Sequence, residues 1–515
     1  MMANRLITCL IISALSANVF GQANVKEADN LLYTGSFEDA LEMYLEVLEE
    51  EPENIAVHYK VAVCYLNTNV DKTLSVKYLE RFIAEGEFDN NANYLLGRAY
   101  SYSGEFDKAE KKFYEFIALG GGTASSGAES QKQIEYCKNA KELMKFPVDV
   151  TFENLGAGIN SNMPDYFPFV PIDESLLIFN TARDDGSTSY ADGTFASNIY
   201  ISNVVDGQFT NAVPLSSNVN DDEINEEIVG LSADGNTMLI YKEDKAGIGN
   251  LFITVREGND FEVPVKLEST INSKSHEISA TISANGNTII FASDRKDGLG
   301  GTDLYVSKKL PIGGWGPAQN LGSIINTEYD EDFPNLSPDG KMLYFSSKGH
   351  VSMGGYDIFK AEWNGSTKQF ENVRSIGYPI NTPYDDMNYR VSDNGRYGYI
   401  ASIRPEGKGD MDIYRVTFNK VEPYYSAILG YIATNDPNNR AEDAFLSITD
   451  NKTGDIVGDY LPNLRNMKYI IILPPGEYNL YIEATGFHPL SEDINILDKS
   501  DFQSEILKDF TLKKL

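Results

Sequence analysis

The fold is decided by the stretch Ser337-Pro338-Asp339-Gly340-Lys341-Met342-Leu343-Tyr344-Phe345-Ser346-Ser347. Its Asp-Gly pair supplies the positive φ angles that a tight hairpin turn needs. The run from Met342 to Phe345 is aliphatic and aromatic, which is typical of a half-buried strand. The stretch therefore predicts a β-hairpin that turns at Asp339-Gly340.

Two phrases of this unit recur through the middle of the chain. Turn phrases stand at Asp234-Gly235, Asn285-Gly286, Asp339-Gly340 and Asn394-Gly395, with a shorter version at Asp173-Glu174. A polar-aliphatic-aromatic phrase follows each of them: Asn198-Ile199-Tyr200, Asn250-Leu251-Phe252, Asp303-Leu304-Tyr305, Asp357-Ile358-Phe359 and Asp412-Ile413-Tyr414. The aromatic residues stand at positions 200, 252, 305, 359 and 414, so the period rises from 52 to 55 residues. A fixed period of about 50 residues that contains hairpin turns indicates propeller blades.

The phase of a third phrase predicts how the ring closes. An apolar residue followed by Asn recurs at Ile159-Asn160, Val219-Asn220, Ile271-Asn272, Ile325-Asn326 and Ile380-Asn381. Asn160 comes before any turn phrase, and no such phrase follows Asn394-Gly395. We therefore expect residues 149–160 to give the outer strand of the last blade, which removes an open edge. Five turn phrases predict a five-bladed propeller over residues 146–423.

The N-terminal sequence and the net charge limit where the protein is expected to act and which partners it is expected to have. Residues 1–22 are typical of a secretory signal peptide, with Arg5 before a short apolar core at Leu6 to Leu15. That core is too short to span a bilayer, so we expect an exported protein with no transmembrane segment. An oxidising compartment permits a bond between Cys64 and Cys137, although two buried free thiols suit their predicted helices better. The 43 basic and 76 acidic residues give a net charge of −33, which argues against a nucleic-acid partner.

Residues 23–145 are predicted to be helical and repetitive. Gly35-Ser36-Phe37-Glu38-Asp39-Ala40 recurs as Gly104-Glu105-Phe106-Asp107-Lys108-Ala109, an offset of 69 residues that is about two periods of ~34. The region resembles the tetratricopeptide (TPR) repeat family, with Gly for the turn and Ala for close helix packing. The resemblance implies three units that stack into a concave groove.

Six residues are expected to face that groove and bind partners. They are Tyr33, Tyr59, Asn67, Tyr94, Arg98 and Tyr102. Tyr, with a polar tip, suits a wet face better than a core. The alternative is that these aromatic side chains form the core between repeats.

Residues 424–515 are predicted to form a small β-sandwich. Leu473-Pro474-Pro475-Gly476-Glu477-Tyr478 leads into an alternating run, and Ala484-Thr485-Gly486-Phe487 precedes the last strands. These phrases resemble the carboxypeptidase regulatory-like family, which has a transthyretin-type sandwich and no catalytic role. The predicted fold class is therefore multidomain, with α-helical TPR repeats followed by an all-β propeller and sandwich.

The propeller units resemble the TolB-type family, since Ser337 to Ser347 is close to that family's typical unit. The order of signal peptide, TPR repeats, propeller and sandwich resembles the OmpA-family periplasmic proteins of Bacteroidota-type bacteria, including the PorE-type component of type IX secretion and gliding. In that family the chain continues into an OmpA-like domain that binds peptidoglycan. This sequence ends at Leu515, about where that domain begins, so the resemblance assigns peptidoglycan binding to none of its residues.

The sequence carries no recognisable enzymatic motif. A propeller hydrolase with a nucleophilic serine needs Gly-x-Ser-x-Gly and a His, and that motif is absent. The four histidines, His58, His276, His350 and His488, fall in three different modules without the spacing of a zinc site. No phosphate-binding loop occurs either. We therefore expect a non-enzymatic protein.

One acidic position recurs in every blade when the blades are aligned on the turn phrase. The set is Asp165, Glu226, Glu277, Glu331 and Asp386, with further acids nearby such as Glu227 and Asp332. Each lies where the chain enters the innermost strand, so we expect an acidic ring at one mouth of the channel. The ring could be a structural tie to backbone N–H groups, a site for calcium or a basic peptide, or a glycosidase site. The last is least favoured, because catalysis needs two carboxylates in unlike environments.

The sequence favours a periplasmic, outer-membrane-associated scaffold that binds envelope proteins through its TPR repeats and propeller. The resemblance implies partners in the type IX secretion machinery, and no cofactor is expected apart from the calcium alternative. The alternative function is a carbohydrate- or peptide-binding propeller, and behind it a propeller glycosidase. Fold alone does not choose among these functions.

Overall fold

The computed structural model describes residues 24–86, 89–121, 124–189, 195–221, 224–244, 247–391, 397–404, 407–408, 411–419, 426–436, 439–462, 467–496 and 505–515. The predicted signal peptide and the turn phrase Asn394-Gly395 lie outside these residues.

The N-terminal region is a layer of antiparallel helices. The helices are α1 (24–34), α2 (Phe37–Glu50), α3 (Ile55–Asn67), α4 (Ser75–Ala84), α5 (Asn91–Tyr102), α6 (Phe106–Ala118) and α7 (Ala124–Leu143), with a 3₁₀ turn at Lys72–Leu74. From α2 onward each helix packs on the next. Gly35 and Gly104 take φ angles of +90° and +71° at the tight turns before α2 and α6. Ala40 and Ala109 have no exposed surface, as close helix packing requires. Cys64 and Cys137 are free and buried in this layer.

The middle region is a propeller-like β-fold of five sheets preceded by β1 (Val150–Asn154). The first sheet contains β2 (Asp165–Phe169), β3 (Leu176–Thr181), β4 (Asn198–Val205), β5 (Gln208–Phe209) and β6 (Val213–Pro214). The second contains β7 (Glu226–Leu231), β8 (Thr237–Glu243), β9 (Gly249–Glu257), β10 (Asp260–Phe261) and β11 (Val265–Lys266). The third contains β12 (Glu277–Ile282), β13 (Thr288–Ser293), β14 (Asp303–Lys308) and β15 (Gln319–Asn320). The fourth contains β16 (Glu331–Leu336), β17 (Met342–Ser347), β18 (Asp357–Asn364) and β19 (Gln369–Ser375). The fifth contains β20 (Met387–Val391), β21 (Tyr397–Ser402), β22 (Asp412–Phe418) and β1.

The innermost strands of the five sheets form a closed ring. Along the ring β2 contacts β7, β7 contacts β12, β12 contacts β16, β16 contacts β20, and β20 returns to β2. The closure predicted for residues 149–160 is confirmed, because Val150 pairs with Phe418 and Asn154 pairs with Tyr414 in an antiparallel ladder. The first and last segments of the propeller therefore share one sheet, and the ring has no open edge there.

The repeated Asn phrase joins each inter-strand loop to the sheet before it. In every repeat the Asn side chain accepts the backbone N–H of the aliphatic residue in the third strand and donates to the carbonyl of that residue. The pairs are Asn160 with Ile413, Asn220 with Ile199, Asn272 with Leu251, Asn326 with Leu304 and Asn381 with Ile358, at 2.8–3.0 Å. Each Asn therefore satisfies two backbone groups that would otherwise be buried without partners.

The C-terminal region is a two-sheet sandwich. One sheet contains β23 (Ser426–Thr434), β26 (Lys468–Leu473), β29 (Glu505–Leu507) and β30 (Phe510–Leu512), and the other contains β24 (Phe445–Asp450), β25 (Ile456–Tyr460), β27 (Gly476–Glu483) and β28 (Leu490–Ile496). It sits on the turn between β2 and β3, where Ile172 packs against Leu429 and Ile470. Lys468 Nζ lies 3.3 Å from a carboxylate oxygen of Asp173 in the same turn.

Within the residues described, no helix combines the length and the apolar character needed to cross a membrane.

Candidate functional site

The five predicted ring carboxylates occupy equivalent places, at or just before the start of each innermost strand. All are buried, with at most 1% of each residue's surface exposed. Each accepts the backbone N–H of a residue four or five positions earlier, in the loop after the repeated Asn. The donors are Ser161, Asp221, Ser273, Thr327 and Thr382, for Asp165, Glu226, Glu277, Glu331 and Asp386 respectively. Each carboxylate therefore has a partner within its own repeat.

The remaining partners differ from one repeat to the next. Three of the carboxylates pair with a cation, with the distance taken from the side-chain nitrogen to the nearest carboxylate oxygen. The pairs are Arg183 with Asp165 at 2.6 Å, Arg295 with Glu277 at 2.9 Å and Lys242 with Glu226 at 3.2 Å. Burial raises the pKa of Glu226 to about 7, although the Asp221 N–H and Lys242 act to lower it.

The other two members of the set accept hydrogen bonds from hydroxyl groups. Glu331 accepts from the hydroxyls of Thr327 and Ser347, and burial raises its pKa. Asp386 accepts from the Thr382 hydroxyl, and burial raises its pKa to about 7, although the Thr382 donors and the charge of Arg404 act to lower it. Across the described stretches of the chain, no group of three or more His, Cys, Asp or Glu side chains is placed to hold a metal ion.

The six predicted groove residues do not share one open surface. Tyr33 is 93% exposed on α1. Tyr59 packs on Phe82, and the Asn67 amide donates to the Val63 carbonyl on its own helix. Tyr94, Arg98 and Tyr102 line a shared cavity, which is described below, and Tyr33, Tyr59 and Asn67 do not.

Tyr94, Arg98 and Tyr102 lie where the helical layer meets the propeller. Tyr94 packs on Phe113 and Phe116, with ring centroids 5.7 and 5.4 Å away. Arg98 donates to the Tyr102 hydroxyl at 3.1 Å. The ring of Tyr102 lies 4.8 Å from that of Tyr384, in the loop that precedes β20. The propeller itself therefore covers part of the predicted groove.

The seam between helices and propeller is held by polar and apolar contacts. The Tyr136 hydroxyl donates to the Lys348 carbonyl at 2.7 Å, and the Asn139 amide donates to the Ser352 carbonyl at 2.8 Å. Met353, from the loop between β17 and β18, is buried in the helical core. Helix α7 is thereby fixed on the fourth sheet.

A cavity of about 390 Å³ lies at this seam. The helices contribute Tyr94, Arg98, Tyr102, Lys132 and Tyr136, and the propeller loops contribute Tyr329, Lys348 and Asp385. Lys132 Nζ lies 4.2 Å from the ring centroid of Tyr329, so a cation–π contact links the two modules across the cavity. The cavity is polar and aromatic, which suits peptide-like ligands better than purely apolar ones.

Sequence reasoning identified three of these lining residues and missed the others. Lys132 and Tyr136 belong to a segment that carries no repeat signature, and Tyr329 stands between the repeated Asn326 and Glu331 at a position that is not itself repeated. Their role depends on how the two modules dock, which no local pattern shows.

Comparisons with known proteins give distant likenesses only. No protein-family model matches the sequence, and no curated protein matches it. TolB from Acinetobacter baumannii has 14% identity and a TM-score of 0.33, over 50% of this chain and 56% of that one, just over half its length. A putative TolB from Agrobacterium tumefaciens has 14% identity and a TM-score of 0.32, over 64% of this chain and 98% of that one. An α-L-arabinanase from Penicillium chrysogenum, complexed with arabinobiose, has 12% identity and a TM-score of 0.32, over 54% and 99% of the two chains. These values assign neither a family nor an activity.

Proposed function

We propose that the chain is an exported, non-enzymatic adaptor of the bacterial envelope that binds protein partners. It combines TPR-type helical repeats, a five-bladed TolB-type propeller and a regulatory-like sandwich. The order of these modules supports an association with the type IX secretion or gliding machinery at the outer membrane. The observation that carries the proposal is the seam cavity, because two modules build it together.

The chemistry of the cavity favours an extended polypeptide over a small apolar ligand. Tyrosine rings offer stacking area with polar tips. Arg98 can pair with acidic groups of a partner, and Lys132 and Lys348, which pair with Glu135 and Asp330 within the chain, can exchange those carboxylates for the partner's. The helices and the propeller are held together by hydrogen bonds and aromatic contacts, so the cavity is formed before a partner arrives. A pre-formed site lowers the entropic cost of binding.

The experiment compares two lysines on the same hairpin of the fourth sheet. Lys348 lines the cavity at one end of β17, whereas Lys341 is exposed in the turn at the other end. Lys348→Glu and Lys341→Glu make the same charge change, and a melting curve of each variant checks that loss of the 2.9 Å Lys348–Asp330 pair has not unfolded the chain. A cross-linked pull-down from intact envelopes then isolates the effect of the cavity. We expect Lys348→Glu to reduce recovery of outer-membrane secretion proteins about tenfold, as loss of one central charged contact does. We expect Lys341→Glu to leave recovery unchanged.

Two results would contradict the proposal. Equal recovery with both variants would show that partners bind elsewhere. Recovery of glycan without protein from the wild-type chain would favour the carbohydrate-binding alternative.

A further inference from the structure

The axis of the propeller carries a second set of polar groups, distinct from the ring carboxylates and from the seam. It begins one residue after the ring position, where Tyr166, Glu227 and Asp332 stand on β2, β7 and β16. The Tyr166 hydroxyl donates to Glu227 Oε1 at 3.2 Å, and the Ser279 hydroxyl donates to Asp332. These bonds join neighbouring sheets around the axis.

Aromatic side chains reach the axis from sheets that are not neighbours. The rings of Phe167 on β2 and Phe333 on β16 lie 5.0 Å apart, although β20 separates the two strands on one side of the ring and β7 and β12 separate them on the other. Both residues stand at a bulge of the innermost strand, with φ angles of +51° and +49°. That left-handed conformation turns the side chain inward, toward the centre.

Asn388 occupies the same place in the fifth sheet. It stands at the bulge of β20 with a φ angle of +59°, so the shared backbone conformation directs its amide to the axis as it directs the two rings. Only 1% of the residue is exposed, yet neither its amide nitrogen nor its amide oxygen has a hydrogen-bond partner. Buried polar groups are rarely left unpaired, because each pays the full cost of leaving water.

Arg390, two residues on, adds a second unmatched group. It is 4% exposed, its guanidinium carbon lies 3.9 Å from the ring centroid of Phe169, and one terminal nitrogen donates to the Pro334 carbonyl at 2.9 Å. Its Nε has no partner. The fifth sheet thus adds an unpaired donor and an unpaired amide to the ring of inner strands that carries the two carboxylates, and the charge of Asp332 acts on Arg390.

We propose that the propeller axis binds a neutral sugar, whose hydroxyls pair with Asn388, Arg390 Nε, Glu227 and Asp332 and whose C–H face packs on Phe167 and Phe333. A hydroxyl both donates and accepts, so it satisfies an amide, a guanidinium and a carboxylate alike. An apolar ligand would leave Asn388 unpaired. A divalent cation needs several oxygen ligands, and among the described residues no three His, Cys, Asp or Glu side chains are grouped to hold one.

The protonation of the two carboxylates supports this chemistry. Burial raises the pKa of Glu227 to about 7 and that of Asp332 to about 6. Near neutral pH Glu227 can therefore donate to a hydroxyl oxygen or accept from a hydroxyl group, while Asp332 mainly accepts. Tyr166 and Glu227 are only partly buried, so solvent reaches the cluster. This site differs from the proposed partner-binding cavity and does not depend on it.

The test uses calorimetric titration of the full chain with trisaccharides of glucose, galactose, mannose, xylose and arabinose. Asn388→Gly removes the amide and suits the positive φ. Its matched control is Asn372→Gly, since Asn372 is exposed on β19 with a φ of +57°. We expect at least one sugar to bind the wild type and the control equally and to bind Asn388→Gly about tenfold or more weakly, with no fall in melting temperature. Glu227→Gln, which keeps the side-chain shape, should weaken the same sugar several-fold.

Three outcomes would overturn the proposal. The first is no heat from any of the five sugars at concentrations in the tens of millimolar range, which would mean that the axis holds only water. The second is equal affinity in wild type and Asn388→Gly, which would place the sugar elsewhere. The third is binding of calcium or magnesium ions that Glu227→Gln abolishes, while none of the sugars gives binding heat.

Discussion

Two sets of polar side chains, one buried and one buried or partly buried, lie one to four residues apart on the innermost strands, and they are satisfied in different ways. The ring carboxylates, such as Glu277 and Glu331, recur in all five repeats, and each has donors within its own repeat. The axial groups, such as Glu227, Asp332 and Asn388, differ from sheet to sheet, and Asn388 has no partner.

The difference separates two uses of polarity in one ring. A residue that every repeat carries, with local donors in every repeat, ties the loop after the repeated Asn to the start of the next inner strand. A residue that breaks the repeat and remains unpaired does not serve that purpose. Repetition therefore indicates structure in this propeller, and the departures from it at the axis indicate where a ligand could be recognised.

The largest expected effect comes from breaking the ring that both sets depend on. Deleting residues 149–160 removes β1 and Asn160, hence five paired residues and the double hydrogen bond to Ile413. At about 1 kcal/mol for each lost hydrogen bond, the cost is on the order of 5 kcal/mol. A loss of 1 kcal/mol lowers the melting temperature of a mid-sized domain by roughly 2–4 °C. We therefore expect the melting temperature of the propeller in the full chain to fall by more than about ten degrees, or its transition to disappear.

Deletion of residues 505–515 is the control for that experiment. It removes β29 and β30 from the sandwich and should leave the propeller transition in place. A propeller transition that is unchanged without residues 149–160 would show that β1 does not close the ring.

A smaller effect distinguishes two members of the ring set. Glu277 pairs with Arg295 at 2.9 Å, whereas Glu331 is held by hydroxyls and a backbone N–H. Glu277→Gln leaves a largely buried guanidinium without its counter-charge and should cost about 3 kcal/mol. Glu331→Gln should cost about 1–2 kcal/mol, the value of a lost hydrogen bond.

Chemical denaturation of the two variants measures this difference. If each carboxylate is a separate local tie, the losses in the free energy of unfolding of the two single variants should add in the double variant. A double variant that loses no more than one single variant would contradict local ties.

The pH dependence gives a third and smaller test, on Asp386. Burial raises its folded pKa to about 7, above the value of about 3.9 in an unfolded chain. The folded state therefore holds the proton more tightly, and stability from this group is present at low pH and is lost as pH rises from about 4 to about 7. The free energy of unfolding of Asp386→Asn, relative to that of the wild type, should rise by on the order of 2 kcal/mol between pH 5 and pH 8.

Melting temperatures of both proteins at several pH values check this expectation. Asp206→Asn is the control, because that carboxylate is exposed in the turn between β4 and β5 of the first sheet and should track the wild type throughout. An Asp386→Asn curve parallel to the wild type would mean that Asp386 stays ionised in the fold.

Local chemistry explains how much of this architecture the sequence could predict. Asp234-Gly235, Asn285-Gly286 and Asp339-Gly340 fall between the first and second strands of their sheets, as expected, although only the glycine of each pair takes the positive φ that the sequence assigned to both residues. The phase of the Asn phrase predicted the pairing of β1 with β22, since a closed ring must complete a repeat. These inferences needed only the repeat and the rules of hairpins.

The parts that the sequence did not predict depend on distant contacts. Asn160 bonds to Ile413, which is 253 residues away, so its role as a backbone partner could not be read from its neighbours. Tyr102 meets Tyr384 only because the helices dock on the propeller. Asn388 reaches the axis only because a bulge gives it a positive φ, and the alternation of strand residues does not reveal a bulge.

The smallest expected effect concerns calcium, and it sharpens the contrast between the two sets. A shared cation would have to draw several ring carboxylates away from donors that already satisfy them, such as the N–H groups of Ser273 and Thr327. Since each carboxylate is bonded inside its own repeat, calcium offers little in exchange. We expect millimolar calcium to raise the melting temperature by less than about 1 °C over buffer with chelator, because stabilisation follows the fraction of bound sites. The Glu277→Gln, Glu331→Gln double variant should respond in the same way. A clear calcium-dependent rise in the wild type, lost in the double variant, would instead show that the ring acts as one metal site and that repetition there carries function as well as structure.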